Sequence, residues 1–190
     1  AYAAGVPAFG SCWAAQIAVT AAGGRCAPSP HGREFGVAAP IRLTAEGRDH
    51  PLFRGKEDGF AALTSHADEV VELPAGATLL ASNAFSRVQA VAVTHGRGSF
   101  WAVQYHPEYD LHEIARLAVL RRDELVRQGT FADEVAAAAW VTAFEALHAD
   151  PHQAALAARY GVALGDLDES VRIRELANWI DGQVRPRAAA

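Results

Sequence analysis

A cysteine stands where an apolar stretch of the chain gives way to a helical pattern. Cys12 follows the apolar residues 6–10, and alanine-rich residues with helical spacing begin directly after it. A cysteine on such a strand–turn–helix unit is exposed by the turn, and the dipole at the helix N-terminus stabilises its thiolate. A single cysteine is more often a small core residue, so this stretch alone leaves both interpretations open.

A base for such a thiolate lies far downstream, at the end of another apolar stretch. Residues 100–105 predict a strand that ends at His106, and Pro107 stops the ladder of that strand and stiffens the turn. Glu108 follows two residues after His106. A cysteine nucleophile needs a base, and the base needs an orienting group. Cys12, His106 and Glu108 therefore form a candidate catalytic triad.

Four short segments, in the same order along the chain, resemble motifs of the class I (triad-type) glutamine amidotransferases. The similarity extends from about residue 5 to about residue 122. The segments are residues 10–16 (GSCWAAQ, resembling G-x-C-x-G-x-Q), 32–36 (GREFG, resembling G-x-E-x-G), 65–68 (SHAD) and 104–108 (QYHPE, resembling Q-F-H-P-E). The segment SHAD is similar to the S-H-x-D of the branch related to the glutaminase domain of GMP synthetase.

The resemblance implies a fold and a reaction. The fold is α/β, with a mixed, mainly parallel, flavodoxin-like sheet flanked by helices and a helical carboxyl-terminal extension. The reaction is hydrolysis of the glutamine side-chain amide through a γ-glutamyl thioester on Cys12. In it His106 transfers the proton, Glu108 orients His106, and the Trp13 backbone N–H stabilises the oxyanion. L-Glutamine is the implied substrate, with no cofactor and no metal.

Four other polar residues lie in or beside these motifs. Gln16 is either a substrate-binding residue or a helix-surface residue. His66 is either a substrate-binding residue, because the family places its segment beside the glutamine pocket, or a residue of a turn without a role in binding. Asp68 is interpreted as the cap of a short helix over residues 68–71. Glu34 is interpreted as a carboxylate that braces the turn carrying the nucleophile.

The sequence departs from the family pattern in two ways. Ala14 stands where the family usually has glycine. In addition, only eleven residues precede Cys12, whereas family domains have several βα units there, including a Gly-rich loop that donates an oxyanion-hole amide. We therefore expect an amino-terminal truncation, with the second oxyanion donor upstream of Ala1.

Composition excludes some classes of function. The 190 residues carry a net charge of −5, which argues against a nucleic-acid binder. No apolar run reaches the length of a membrane span. The two cysteines form no disulfide framework, and a working thiol suits the cytoplasm.

Patterning predicts two parts, a partial amidotransferase domain over residues 1–128 and a helical extension over 129–190. In the first part we expect a strand over 34–43, a surface excursion over 44–59 and three strands over 78–82, 88–94 and 100–105 with hairpin-like connections. The extension carries no assignable motif and either covers the sheet or docks on a partner. Residues 186–190 are predicted to be disordered.

The acceptor of the ammonia cannot be read from the sequence. The chain has no ATP-binding Gly-rich loop, so any acceptor chemistry lies in a synthetase subunit, or the protein is free-standing. Two alternatives remain: a γ-glutamyl hydrolase or peptidase on the same scaffold, and a non-catalytic subunit.

Overall fold

A mixed sheet of six strands forms the centre of the molecule, and a two-stranded sheet lies beside it. The computed structural model describes residues 1–188, the side chains of 39, 187 and 188 excepted. The strands are β1 (Ala8–Ser11), β2 (Arg25–Pro28), β3 (Glu34–Leu43), β4 (Phe60–His66), β5 (Asp68–Glu72), β6 (Ala77–Ser82), β7 (Ala90–His95) and β8 (Gly98–Val103). The large sheet has the order β1-β8-β7-β6-β3-β4, and the small sheet pairs β2 with β5.

The predicted mixed α/β sheet is observed, but within this chain fewer of its strand pairings are parallel than "mainly parallel" implies. Strand β1 pairs with β8 in parallel, whereas the pairings from β8 through β7, β6 and β3 to β4 are antiparallel. The short connections from β6 to β7 and from β7 to β8 favour antiparallel pairing of these strands. Strands β1 and β8, which pair in parallel, are separated by most of the chain, including helix α1.

Helices surround the sheet and make up the carboxyl-terminal third. They are α1 (Trp13–Ala21), α2 (Ala45–Asp49), α3 (Leu111–Leu120), α4 (Arg122–Arg127), α5 (Glu134–Ala149), α6 (Ala154–Arg159), α7 (Leu164–Leu167), α8 (Glu169–Arg172), α9 (Arg174–Trp179) and α10 (Arg185–Ala188). A short 3₁₀ helix covers Pro51–Phe53, and a π-helical turn covers Ile180–Val184. No helix among the described residues is long and apolar enough to cross a membrane.

Both faces of the large sheet are covered by apolar side chains. Helix α1 packs Ala15 and Val19 against one face. The 3₁₀ helix packs Leu52 and Phe53 against the other, and Trp179 from α9 joins them. Helices α3 and α5 form a further core with β4. The predicted surface excursion over residues 44–59 is therefore wrong in part, because Leu52 and Phe53 are 0% and 2% exposed.

Two further predictions need correction. Residues 68–71 form no helix; Asp68 begins strand β5, because its segment pairs with β2 at the Pro28–Asp68 register. Of the tail over 186–190, residues 186–188 are helical because α10 continues the preceding helical turns. Residues 189–190 lie outside the described residues.

Candidate active site

Strand β1 delivers Cys12 to the edge of the sheet at which β8 also ends. Because β1 and β8 are parallel, with Ser11 opposite Val103, their carboxyl ends lie side by side. The Cys12 N–H donates to the Val103 carbonyl at 2.8 Å. The chain then turns sharply at Cys12, and α1 begins at Trp13.

The backbone of Cys12 is strained in the manner of a nucleophile on a tight turn. Cys12 has φ 50° and ψ −110°, and among residues 1–188 it is the one residue other than glycine with a positive φ. An L-residue adopts such angles only when its surroundings enforce them, and such strain clusters at functional sites. The turn holds the sulfur half-buried, 3.8 Å from the Ser65 carbonyl oxygen.

His106 lies between the sulfur and a carboxylate. Its Nδ1 is 2.7 Å from Glu108 Oε1, and the Cys12 side chain lies near enough to the ring to raise the pKa of His106. Ser11 donates from its hydroxyl to the same Glu108 oxygen at 2.9 Å. The structure therefore brings the three residues of the predicted triad together.

Electrostatics favour a charged imidazole in this arrangement. Burial lowers the pKa of His106, but hydrogen bonds and charges from Cys12 and Glu108 outweigh burial and raise it to about 9. Burial likewise raises the pKa of Glu108, and the hydrogen bond with His106 more than reverses this, so the net shift is downward. The ring of Tyr109 stacks on His106 with centroids 3.9 Å apart and planes 2° apart, which fixes the imidazole plane.

Trp13 offers its backbone rather than its side chain. Its N–H is the first of α1 and has no intrahelical acceptor, because the first four amides of a helix lack one. The indole is 73% exposed. The predicted oxyanion role of the amide agrees with this position and stays a prediction.

His66 points into a buried polar cluster. Its Nε2 contacts Glu34 Oε2 at 2.8 Å, and its Nδ1 contacts the Asp68 carbonyl oxygen at 2.9 Å. Glu34 also accepts from Gln89 at 2.8 Å and from Asn83 at 2.6 Å. Both ring nitrogens of His66 are thus occupied within the protein, and its predicted contact with substrate stays a prediction.

Gln16 contacts the segment that follows His66. Its Nε2 donates to the Asp68 carbonyl oxygen at 3.0 Å and lies 3.4 Å from Gln104 Oε1. Both alternatives for Gln16, substrate binding and a structural role, therefore remain predictions. Ser11 and Tyr109 are site residues that sequence reasoning missed, although each stands next to a residue of the triad in the chain.

The family model of glutamine amidotransferase class-I matches residues 1–120, which is more than half of the 190 residues. The chain belongs to the glutamine amidotransferase class-I family. The matched residues include Cys12, His106 and Glu108, whereas helices α5–α10 lie beyond them.

Two named relatives of this amidotransferase-family chain differ in how much of it they match. A gamma-glutamyl-L-1-hydroxyisopropylamide hydrolase from Pseudomonas sp. is 36% identical over 193 residues, covering 99% of this chain and 64% of that protein. A glutamine-hydrolyzing GMP synthase from Wolinella succinogenes is 38% identical over 104 residues, covering 55% of this chain and 19% of that protein. The chain thus spans less than two thirds of the length of either relative.

Two solved glutamine amidotransferases share the fold of this family member. The one from Thermotoga maritima has a TM-score of 0.63 at 17% identity and covers 95% of this chain and 64% of that one. The one from Methylobacillus flagellatus has a TM-score of 0.58 at 21% identity and covers 95% and 65%. Both alignments include most of the helical carboxyl-terminal part.

Proposed function

We propose that this protein hydrolyses γ-glutamyl amide bonds by nucleophilic catalysis at Cys12. The observation that carries the proposal is the placement of Cys12, on a strained turn, beside the hydrogen-bonded pair of His106 and Glu108. That arrangement supplies a nucleophile, a base and an orienting carboxylate in one place.

The reaction proceeds in two steps. The Cys12 thiolate attacks the γ-carbonyl carbon, and the Trp13 N–H donates to the developing oxyanion. The C–N bond breaks as the His106 imidazolium gives its proton to the leaving amine, which forms the γ-glutamyl thioester. Water, deprotonated by His106, then attacks the thioester, and glutamate leaves with the thiolate restored.

The first candidate substrate is L-glutamine, from which the leaving group is ammonia. The glutamine-hydrolyzing relative supports it through its match to 55% of this chain. A synthetase that receives the ammonia remains a prediction. The second candidate is an N-substituted γ-glutamyl amide, from which an amine leaves. The match of the Pseudomonas relative to 99% of this chain, helices α5–α10 included, favours this candidate.

The test compares the two substrates with one enzyme preparation. Glutamate release is measured from L-glutamine and from γ-glutamylisopropylamide, with Cys12→Ala as the matched control. Hydroxylamine is added in parallel, because it converts a γ-glutamyl thioester into the hydroxamate. We expect glutamate and hydroxamate from at least one substrate and neither from Cys12→Ala. Release that is unchanged in Cys12→Ala, or no release from either substrate, would contradict the proposal.

Two further proposals concern the division of the chain and the location of the protein. We propose that residues 1–128 act as the amidotransferase unit and residues 129–190 as a helical extension of it. We also propose a cytoplasmic location, because both cysteines are free and the reaction requires a reduced thiol.

A further inference from the structure

The carboxyl-terminal helices reach the loop that carries His106 and Glu108. Arg172, the last residue of α8, donates from Nη1 to the Pro107 carbonyl oxygen at 2.7 Å. Glu175 in α9 accepts a short hydrogen bond, 2.5 Å, from the hydroxyl of Tyr105. The two contacts thus lie on either side of His106 in the chain.

Glu175 is itself held firmly. Its carboxylate is fully buried and forms an ion pair with Lys56 Nζ at 3.0 Å. Lys56 also donates to the Val171 carbonyl oxygen at 3.0 Å and lies over the ring of Phe60. A buried ion pair that is also hydrogen-bonded resists displacement, because separating it would leave charges unpaired in the interior. Tyr105 is therefore hydrogen-bonded to a carboxylate that Lys56 holds in place.

The two contacts act on the torsions that aim the catalytic side chains. The ring of Pro107 fixes its φ, and the bond from Arg172 to its carbonyl holds its ψ, so the peptide that leads to Glu108 has one orientation. Tyr105 is completely buried and directly precedes His106, whose N–H donates to the Leu63 carbonyl at 2.8 Å. Helices α8 and α9 thus supply two of the contacts that hold this loop.

We propose that α8 and α9 form a clamp on the catalytic loop, with Arg172 and Glu175 as positioning residues that act through Pro107 and Tyr105. The clamp rests on the proposed function, since it orients the base and carboxylate of that reaction. It gives the helical extension, which carries no motif of its own, a part in the chemistry.

The experiment separates positioning from folding. In Arg172→Gln and Tyr105→Phe we expect kcat to fall about 10-fold or more with KM within about twofold. The reason is that His106 transfers protons in the proposed reaction, and a small displacement of its side chain slows that transfer. We also expect iodoacetamide to alkylate Cys12 more slowly in both variants, because His106 is no longer held in position beside the sulfur. Arg172→Lys, which keeps a donor, should recover part of kcat.

The matched control is Asn178→Ala. Asn178 joins α9 to the Leu52 and Arg54 carbonyl oxygens at 2.9 and 3.0 Å and does not touch the catalytic loop. This variant should lower the thermal midpoint while kcat and the alkylation rate stay at the wild-type values. The clamp is overturned if Tyr105→Phe keeps wild-type kcat and alkylation, or if Asn178→Ala reduces both as strongly. If the wild type hydrolyses neither substrate, the proposed function fails, and the alkylation rates still decide whether the clamp exists.

Discussion

Ser11 and Glu108 are joined by a hydrogen bond of 2.9 Å, so the residue before Cys12 contacts the carboxylate that faces His106. The same Glu108 oxygen faces His106 Nδ1 at 2.7 Å. One carboxylate oxygen therefore couples the turn at the end of β1 to the loop after β8. We expect this link to limit the motion of the two segments relative to each other.

Loss of the Ser11 hydroxyl should slow the reaction without abolishing it. We expect Ser11→Ala to lower kcat about 3- to 10-fold, since a solvent-accessible hydrogen bond contributes ~0.5–1.5 kcal/mol. Ser11→Thr, which keeps the hydroxyl, is the control and should lie near the wild type. Steady-state kinetics on the better substrate measure both, and equal rates for Ser11→Ala and wild type would remove Ser11 from the site.

Charging of His106 should stabilise the folded protein below a defined pH. Its folded pKa of about 9 lies above the ordinary value of 6.5, because Cys12 and Glu108 outweigh burial. The stabilisation is therefore fully present below pH 6.5 and is lost as the pH rises through about 9. We expect the difference in unfolding free energy between wild type and His106→Asn to decrease by on the order of 3 kcal/mol across this range.

Urea titrations at several pH values measure this difference. His152→Asn is the control, because His152 is exposed and lies away from the triad, and its difference from wild type should stay constant. A constant difference for His106→Asn as well would contradict the charged imidazole.

The strain at Cys12 should appear as a stability gain when glycine replaces it. At φ 50° and ψ −110° a residue with a Cβ is unfavourable, whereas glycine is not. Relative to Cys12→Ala, which keeps the Cβ and also lacks the thiol, Cys12→Gly should raise the thermal midpoint by about 2–4 °C. Differential scanning calorimetry measures both variants. A lower midpoint for Cys12→Gly would indicate that the turn is not strained.

Gly10 and Ala14 should behave as a coupled pair. A Cβ on Gly10 would lie 2.4 Å from the Ala14 Cβ, closer than two carbon atoms can approach. Gly10→Ala alone should therefore destabilise the protein by about 1–3 kcal/mol. Adding Ala14→Gly should restore much of this loss, leaving a tighter contact of 3.3 Å with the Phe100 ring.

A double-mutant cycle from urea unfolding measures the coupling, and Ala14→Gly alone is the matched single variant. Strictly additive free energies would show that the two positions do not touch. Gly10 leaves the room that the Ala14 methyl group occupies, so this chain accommodates alanine where the family pattern usually has glycine.

Apolar stretches that end at Cys12 and at His106 were enough to predict strands β1 and β8, and residue types alone indicated a nucleophile with a base. The strand over Glu34–Leu43 and the helix from Trp13 also follow from local patterning, which backbone preference and alternation of apolar residues determine. The resemblance to the family then implied that both strand ends belong to one site. In the structure they lie together because β1 and β8 are parallel, with Ser11 opposite Val103.

Tertiary structure decided what no local pattern contains. Asp68 begins a strand because β2 offers a partner, although its own segment is compatible with a helix cap. His66 turns to Glu34 because a buried ring nitrogen needs a hydrogen-bond partner, and Glu34 comes from a distant part of the chain. Glu175 meets Tyr105 across a sequence separation of 70 residues, because the packing of a helix on a sheet, and not its own periodicity, selects which side chains meet.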